Sequence, residues 1–183
     1  MEEEAPARMA TLVSIVEKRP GLGRTALMKI CYLLQTLGDV PLGYHFTLYS
    51  YGPFDSDVLA DLSSAESVGA VSSRVVQFPN GYGYEINPTE DSQSFIDMAP
   101  DFLGQYGDSI DEVIEMFGGM TKNELEVLST AIYVDREAEG FNEELSIDEL
   151  VHRVHEIKRN FTEKFVADKV TFLENEGLLE STE

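Results

Sequence analysis

A β-hairpin signal in residues 71–86 constrains the fold of this chain more than any other feature. Two runs rich in β-branched and aromatic residues, Val71–Phe78 and Tyr82–Ile86, flank the pair Asn80-Gly81. Asn-Gly is preferred where both residues of a two-residue turn need positive φ. The segment therefore predicts two antiparallel strands joined by a tight turn, and the elements before it decide what kind of module the hairpin belongs to.

The elements before the hairpin complete the inventory of a winged helix. Apolar residues recur at helical spacing and predict helices from about Pro6 to Lys18, from about Gly23 to Leu37, and from a cap at Asp55 or Ser56 to Gly69. Between the last two, aromatic and β-branched residues predict a strand over Tyr44–Tyr51, followed by a turn at Tyr51-Gly52-Pro53-Phe54. The helix that leads into the hairpin has the place of a recognition helix.

Everything after Asn87-Pro88-Thr89 is predicted to be helical. Capping boxes of the form Ser/Thr-x-x-Glu predict helix starts at Ser109, Thr121 and Ser146, a last helix runs from Thr162 to Gly177, and the acidic segment Asp135–Glu144 is expected to be a mobile loop. The predicted fold is mainly α with a small antiparallel β wing (α+β). A winged-helix-like module over residues 1–88 precedes an all-helical region over residues 89–183, with a three-helix unit at about 121–177.

The sign of the charge argues against nucleic acid as the partner. The chain has 34 acidic and 13 basic residues and a net charge of −21. Nucleic-acid affinity comes largely from Lys and Arg that displace counterions, yet no Lys or Arg occurs between Ile30 and Ser73. About sixteen residues separate Gly38 from Asp55, whereas a helix-turn-helix joins its two helices by roughly three or four. DNA binding through the helix before the hairpin is therefore disfavoured.

Five of the thirteen basic residues are clustered near the N-terminus: Arg8, Lys18, Arg19, Arg24 and Lys29. A solvated helix face is one interpretation of this cluster. The other is an electropositive spot that docks an acidic partner or the protein's own carboxylates. A local patch of this kind is also what a DNA-binding winged-helix regulator would use, and such a regulator is our alternative hypothesis.

Residues for catalysis or metal binding form no recognisable set. Cys31, the single cysteine, lies in an apolar helical stretch and is predicted to be a core side chain. His152 and His155 lie three residues apart, but a zinc site needs three or four converging ligands. The segment Gly21-Leu22-Gly23-Arg24-Thr25 opens a helix without the spacing of a phosphate-binding loop. We predict a protein that is not an enzyme and has no cofactor or metal.

Neither a membrane span nor a signal peptide is predicted. No apolar run approaches the roughly 20 residues that a spanning helix needs. The start Met-Glu-Glu-Glu is the reverse of the basic start of a signal peptide. We therefore expect a cytoplasmic protein that does not contact membranes.

A longer pattern in the first half of the chain suggests a family. The run Leu27–Leu34 contains a Lys three residues before a Tyr, and Pro41-Leu42 and then Tyr51-Gly52-Pro53-Phe54 follow it. This pattern resembles the Panacea (SocA-like) antitoxin domain and, more closely, the uncharacterised bacterial YwgA-like proteins that are related to it. The resemblance covers roughly residues 9–88, about half of the chain.

The resemblance implies a non-enzymatic domain that binds and neutralises toxin proteins. An acidic protein suits this role, especially against a basic toxin, and a homodimer is also compatible with the sequence. The candidate partner-binding residues are Arg24, Lys29, Tyr32, Tyr51, Gly52, Pro53 and Phe54. A purely structural role remains the alternative for the residues that carry the resemblance, and Lys29 and Tyr51 are the two expected to be partly exposed.

Overall fold

The computed structural model of the chain describes residues 4–79 and 81–181. These residues form a mainly α fold with small antiparallel β structure, as predicted, although the β structure comprises two two-stranded sheets and not the wing alone. In chain order the elements are α1 (Glu4–Lys18), α2 (Arg24–Thr36), β1 (Thr47–Tyr49), β2 (Gly52–Phe54), α3 (Ser56–Ser67), β3 (Val71–Phe78), β4 (Gly81–Pro88), α4 (Ser92–Ile96), α5 (Pro100–Phe117), α6 (Lys122–Gly140), α7 (Ile147–Ile157) and α8 (Glu163–Asn175).

The chain divides into two compact units whose limits differ from the predicted ones. Unit 1 comprises Met1–Phe46 and Asp55–Lys122, and unit 2 comprises Thr47–Phe54 and Asn123–Glu183. The boundary predicted at residue 88 thus falls inside unit 1. The hairpin β1–β2, called the short hairpin below, belongs to unit 2 although both flanking segments belong to unit 1.

Unit 1 is built around its first two helices. The side chains from Ala10 to Val16 in α1 and from Leu27 to Leu34 in α2 are buried without interruption. A helix that is buried on all sides lies inside a core rather than on its surface. Accordingly α1 contacts α3, α4, α5 and β4. Pro20 and Gly21, whose φ is +83°, form the corner between α1 and α2.

The predicted hairpin is confirmed and is called the wing below. Its strands β3 and β4 pair from Val71↔Pro88 to Phe78↔Gly81, and Asn80 of the predicted turn lies outside the described residues. The amide of Ile86 donates to the Leu22 carbonyl at 2.9 Å, and the amide of Gly21 donates to the Ile86 carbonyl at 2.8 Å. The α1–α2 corner therefore pairs with β4, and these hydrogen bonds attach the wing to the first two helices of unit 1 in a winged-helix-like arrangement.

The short hairpin corrects the prediction of one strand followed by a turn. The predicted strand Tyr44–Tyr51 is reduced to Thr47–Tyr49, and the predicted turn at residues 51–54 is instead the second strand, Gly52–Phe54. Leu48 pairs with Pro53 at its centre, so Ser50 and Tyr51 form the turn. Proline fits here because the missing amide is tolerated on an edge strand.

Three helices make up the rest of unit 2, and two of their predicted starts have the predicted caps. The hydroxyl of Ser146 accepts a hydrogen bond from the amide of Glu149 while the Glu149 carboxylate accepts from the Ser146 amide, which completes a capping box. The hydroxyl of Thr162 accepts from the amide of Phe165 at the start of α8. Helix α6 begins at Lys122, directly after the predicted cap at Thr121.

Two local predictions in the second half of the chain are wrong. Ser109 does not start a helix, because α5 begins at Pro100 and continues through it to Phe117. The expected mobile loop Asp135–Glu144 is helical as far as Gly140, and Asp135 is fully buried. In both places the charged and polar residues predict an interruption of the helix. The structure instead continues α5 through Ser109 and continues α6 through Asp135 to Gly140.

Candidate functional site

The structure separates the predicted partner-binding residues into two groups. Arg24, Lys29 and Tyr32 lie on α2 in unit 1, whereas the remaining four lie in and beside the short hairpin of unit 2. Tyr51 is 67% exposed, as expected. Gly52 and Pro53 are buried and Phe54 is half-buried. The seven residues are therefore not one continuous site on either unit.

The expectation that Lys29 is partly exposed is wrong. Its side chain is 2% exposed, and Tyr32 one turn further along α2 is 5% exposed. The Tyr32 ring packs edge-on against Phe46 with their centroids 5.2 Å apart. Both residues are surrounded by an unbroken run of buried neighbours, so their place in the sequence pattern reflects the core of unit 1 and not a contact surface.

Gly52 is required by the local structure of unit 2. Its φ of +91° lies in the left-handed region, and a Cβ atom at this position would lie 2.9 Å from the Oγ1 of Thr130 on α6. Only glycine combines this conformation with so close an approach to a neighbour. The Tyr-Gly-Pro motif is thus explained by how the short hairpin packs on α6.

A buried lysine holds the turn of the short hairpin. The side chain of Lys158, at the end of α7, is 0% exposed. Its ammonium donates to the Ser50 carbonyl at 2.6 Å and to a carboxylate oxygen of Glu126 at 2.9 Å. Burial lowers the pKa of Lys158, and the hydrogen bond and charge of Glu126 oppose that shift. The sequence offered no signal for this pair, because Lys158 follows an amphipathic surface helix.

A second buried charge anchors the end of the described chain to α6. The Asp135 carboxylate accepts hydrogen bonds from the amides of Glu180 and Ser181 at 2.9 and 3.0 Å and from the Ser181 hydroxyl at 2.7 Å. Arg136 pairs with the same carboxylate. These contacts fully occupy Asp135 and give it a structural role within unit 2.

A cluster of titratable side chains in unit 1 contains Arg8, Cys31, Tyr44 and Asp61. The Tyr44 hydroxyl donates to Asp61 at 2.8 Å, and the Nε of Arg8 lies 3.2 Å from the same carboxylate. Burial and the nearby Asp61 raise the pKa of the Cys31 thiol to about 12. Burial likewise raises the pKa of Tyr44. At neutral pH the cluster therefore presents neither a thiolate nor a phenolate as a nucleophile.

Most of the N-terminal basic cluster is neutralised by carboxylates of unit 1. Arg8 pairs with Asp61, and Lys18 pairs with Asp111. Arg24 lies 3.7 Å from Glu66. Of the interpretations left open above, docking on the protein's own carboxylates is thus realised for three of the five residues. Within residues 4–79 and 81–181 no ion pair involves Arg19.

A groove in unit 1, called the basic groove below, brings together charges that are distant in sequence. It has a volume of about 850 Å³ and lies between the α1–α2 corner, the outer edge of β4 and the segment after α5. Four cationic side chains line it with a single carboxylate, Glu85: Lys18, Arg19, Arg24 and Lys122. The guanidinium of Arg24 stacks on the Tyr84 ring, 3.6 Å from its centroid.

Helix α5 presents the opposite charge. Its exposed side carries five carboxylates, and the helix contains no Lys or Arg; this surface, called the acidic face below, consists of Asp101, Asp108, Asp111, Glu112 and Glu115. At 100° per residue these positions fall within an arc of roughly 100°. In the sequence from residue 75 to 121 there are nine carboxylates and no basic residue. The acidic face is the centre of this stretch.

The described residues contain neither a metal site nor a membrane-spanning helix. Nowhere in 4–79 and 81–181 do three His, Cys, Asp or Glu side chains converge as metal ligands. His152 instead lies 3.8 Å from Glu156, and the ring of His155 contacts the Phe161 carbonyl at 3.2 Å. In the same residues no helix is long and apolar enough to cross a membrane.

Comparison with known proteins does not place the chain in a family: no protein-family model matches it, and no curated protein matches it.

Proposed function

We propose that this protein is a non-enzymatic interaction module that binds and masks a basic protein partner, in the manner of an antitoxin. The observation that supports the proposal is the acidic face of α5. It combines five exposed carboxylates on one helix side with the absence of any cation on that helix. Among the described residues a single ion pair, Lys18–Asp111, neutralises part of it.

The acidic face costs the free protein stability. Asp108 and Glu112 lie one helical turn apart, as do Asp111 and Glu115. Like charges at this spacing destabilise a helix by roughly 0.2–0.5 kcal/mol a pair. A basic partner removes this repulsion, and its positive surface is drawn to the acidic face over distances of about 8–10 Å at physiological salt. The carboxylates of the acidic face therefore destabilise the free protein, and binding of a basic partner relieves this cost.

The alternative of a DNA-binding regulator has weaker support. Helix α3, which occupies the place of a recognition helix, begins behind an Asp55 cap and carries Asp61 and Glu66 in ion pairs with unit 1 arginines. The one basic residue of the wing, Arg74, pairs with Glu85. Neither the helix nor the wing offers cations to a phosphate backbone.

The experiment uses the chain as bait in the lysate of its source organism and then measures the captured protein directly by calorimetry. We expect a basic partner whose affinity falls by about tenfold or more in the variant Asp108→Lys/Glu112→Lys. Co-expression with that partner tests masking, because a masked toxin no longer arrests growth. The matched control is Glu174→Lys/Glu176→Lys, which changes the net charge equally at the C-terminal end of α8.

Two results contradict the proposal. One is a captured partner that binds the α5 variant as tightly as the unmodified chain. The other is equal weakening by the α8 control, which would make the effect one of total charge. Retardation of DNA in a low-salt gel shift, abolished by Arg19→Glu, would favour the regulator instead.

A further inference from the structure

The basic groove is bordered by the outer edge of strand β4. On the outer side of β4, Ile86 bonds to the α1–α2 corner through both its amide and its carbonyl. Backbone groups of alternate residues in a strand point to the same side. The amides and carbonyls of Tyr84 and Tyr82 therefore point outward with those of Ile86. A Cβ atom on Gly23 would lie 3.4 Å from the Tyr84 carbonyl oxygen, which agrees with this direction.

The outward groups of Tyr82 and Tyr84 bond to no backbone group in the described part of unit 1. Proteins protect such edges with lysine, proline or a covering element. Neither lysine nor proline occurs from residue 81 to 85 of β4, where Gly81 and Gly83 alternate with the tyrosines. The pairing that begins at Leu22 thus stops after one residue. Beyond Ile86 the outward groups of Tyr84 and Tyr82 have no backbone partner in the described part of unit 1, and the Tyr84 carbonyl lies close to Gly23.

The side chains that line the basic groove favour a ligand of negative charge. Four cationic side chains and one carboxylate line the groove in a chain of net charge −21. Two of the four, Lys18 and Arg24, also pair with Asp111 and Glu66, which do not line the groove.

The Nε atoms of Arg19 and Arg24 are inaccessible to solvent, and one terminal nitrogen of Arg19 donates to the Ile114 carbonyl at 3.4 Å. A ligand in the groove therefore meets the terminal nitrogens of these guanidinium groups. Guanidinium groups form strong hydrogen bonds with carboxylates. The adjoining aromatic side chains, Phe78 at 50% and Tyr82 at 70% exposed, offer apolar contact beside the cations.

We propose that the basic groove binds an extended acidic segment of a protein partner, which adds to the outer edge of β4 as a further strand. The edge supplies main-chain hydrogen bonds, as in other cases of strand addition. The arginines select for Asp and Glu side chains. A polynucleotide fits less well, because it has no backbone amides to pair with the carbonyls of the strand edge. The proposal concerns a different surface from the acidic face and does not depend on it.

The test uses a fluorescein-labelled peptide of about eight residues that alternates Glu and Val, long enough to span the edge at ~3.3 Å per residue. A peptide with Lys in place of Glu is its control. Fluorescence anisotropy is measured in about 0.15 M salt, which screens the long-range repulsion from the rest of the chain. We expect the Glu peptide to bind and the Lys peptide not to bind.

Charge variants locate the binding. Arg19→Glu and Arg24→Glu are each expected to lower the affinity for the Glu peptide by about tenfold. Arg159→Glu and Lys164→Glu, on exposed positions of unit 2, change the net charge equally and leave the affinity within about twofold. Asp108→Lys/Glu112→Lys, which tests the acidic face, is expected not to lower the affinity for the Glu peptide. Failure of the two proposals can thus be told apart.

Edge variants test the strand pairing itself. Tyr82→Pro removes an outward amide without removing a bond to β3, whereas Tyr82→Ala removes only the side chain. We expect the proline variant to bind the peptide about fivefold or more weakly than the alanine variant. Nitrogen-15 NMR of the unmodified chain provides a measurement that does not depend on any variant, since the peptide then shifts the amides of Tyr82 and Tyr84.

The proposal is overturned by any of four results. These are no binding of the Glu peptide, equal binding of the Lys peptide, equal affinities of the proline and alanine variants, or amide shifts remote from β4. A dimer that Tyr82→Pro dissociates and that the peptide cannot disrupt would also overturn it, because the occupant of the edge would then be a second copy of the chain.

Discussion

The two hairpins of this protein use the same antiparallel pairing for opposite purposes. The short hairpin has three residues in each strand, and its turn is fixed by a buried lysine and by the approach of Gly52 to α6. The wing has eight residues in each strand and presents Val75, Phe78 and Tyr82 to solvent. The hairpin with the Tyr-Gly-Pro motif is thus fixed within its unit by its turn and its second strand, whereas the hairpin with the Asn-Gly turn presents side chains along both of its strands to solvent.

This difference teaches that a sequence motif and a binding surface need not coincide. Tyr-Gly-Pro is noticeable because a positive φ, a tight contact and an edge strand each restrict the residue type. The wing needs only alternating side chains and a turn, which many sequences satisfy. Variants of the two hairpins are therefore expected to differ strongly in their effect on stability.

The largest effect is expected at the lysine that holds the short hairpin. Lys158→Met leaves the Glu126 carboxylate buried without its cation and should lower the free energy of unfolding by about 3–5 kcal/mol. The double variant Lys158→Met/Glu126→Met recovers most of this loss, because no buried charge remains. Urea denaturation of the three proteins measures both values. A loss below about 1 kcal/mol in the single variant would mean that Lys158 is hydrated in solution.

The core of unit 1, on which the wing is rooted, is expected to respond to alkaline pH through Cys31. The folded thiol titrates near 12 and the unfolded thiol near 9. Above pH 9 the unfolded state binds fewer protons, so stability is fully present below pH 9 and falls as pH rises, by up to about 4 kcal/mol near pH 12. Urea denaturation of Cys31→Ala and the unmodified chain at several pH values isolates this slope.

A reactivity measurement provides the check on that prediction. A thiol reagent at pH 8 should label Cys31 only after addition of guanidinium, since this is the one cysteine of the chain. Rapid labelling of the folded protein would contradict the burial of the thiol. It would also remove the reason for the alkaline slope.

Gly52→Ala is expected to cost about 2–4 kcal/mol, from the left-handed backbone and from the contact with Thr130. Gly69→Ala is the matched control, because Gly69 also has a positive φ, +77°, but open space around it. It should cost only about 1–2 kcal/mol. The difference between the two unfolding free energies measures the packing of the short hairpin. Equal costs would show that only the backbone conformation matters.

The smallest effect is expected on the wing. Val75→Ser and Tyr82→Ser replace side chains that are mostly exposed, so each should change the free energy of unfolding by no more than about 0.5 kcal/mol. Thermal denaturation monitored by circular dichroism is sufficient to measure this. A loss above about 1 kcal/mol would mean that these side chains stabilise the fold, and it would remove the contrast between the two hairpins.

The sequence predicts the parts of the fold that local rules determine. Ser146, Thr162 and Asp55 act as caps as expected, because a capping interaction joins residues two or three positions apart. The pattern at Ser109 satisfies the same rule, yet the buried face of α5 continues through it, so packing overrides the local signal. A capping pattern is thus informative only where the apolar periodicity also begins.

The candidate sites were less predictable than the helices. The pairing of Lys158 with Glu126 spans 32 residues, and in a chain with 34 acidic residues no single carboxylate stands out. The sequence pattern predicts a partly exposed Lys29, whereas this residue lies within the unbroken buried run Leu27–Leu34 of α2. The basic groove joins the α1–α2 corner, the wing and the end of α5. Only the fold brings these segments together.

The bond from Lys158 to the Ser50 carbonyl has a consequence for how the protein is made. It joins residues 108 positions apart, and at roughly 5–20 residues per second a ribosome needs about 5–20 s to cover that interval. During this time the turn of the short hairpin exists without the cation that fixes it and without α6 beneath Gly52. Unit 1 is complete in sequence at Lys122, so all of its residues are synthesised before Lys158 is added. All residues of the wing and of the basic groove are therefore synthesised before the contacts that fix the short hairpin are complete.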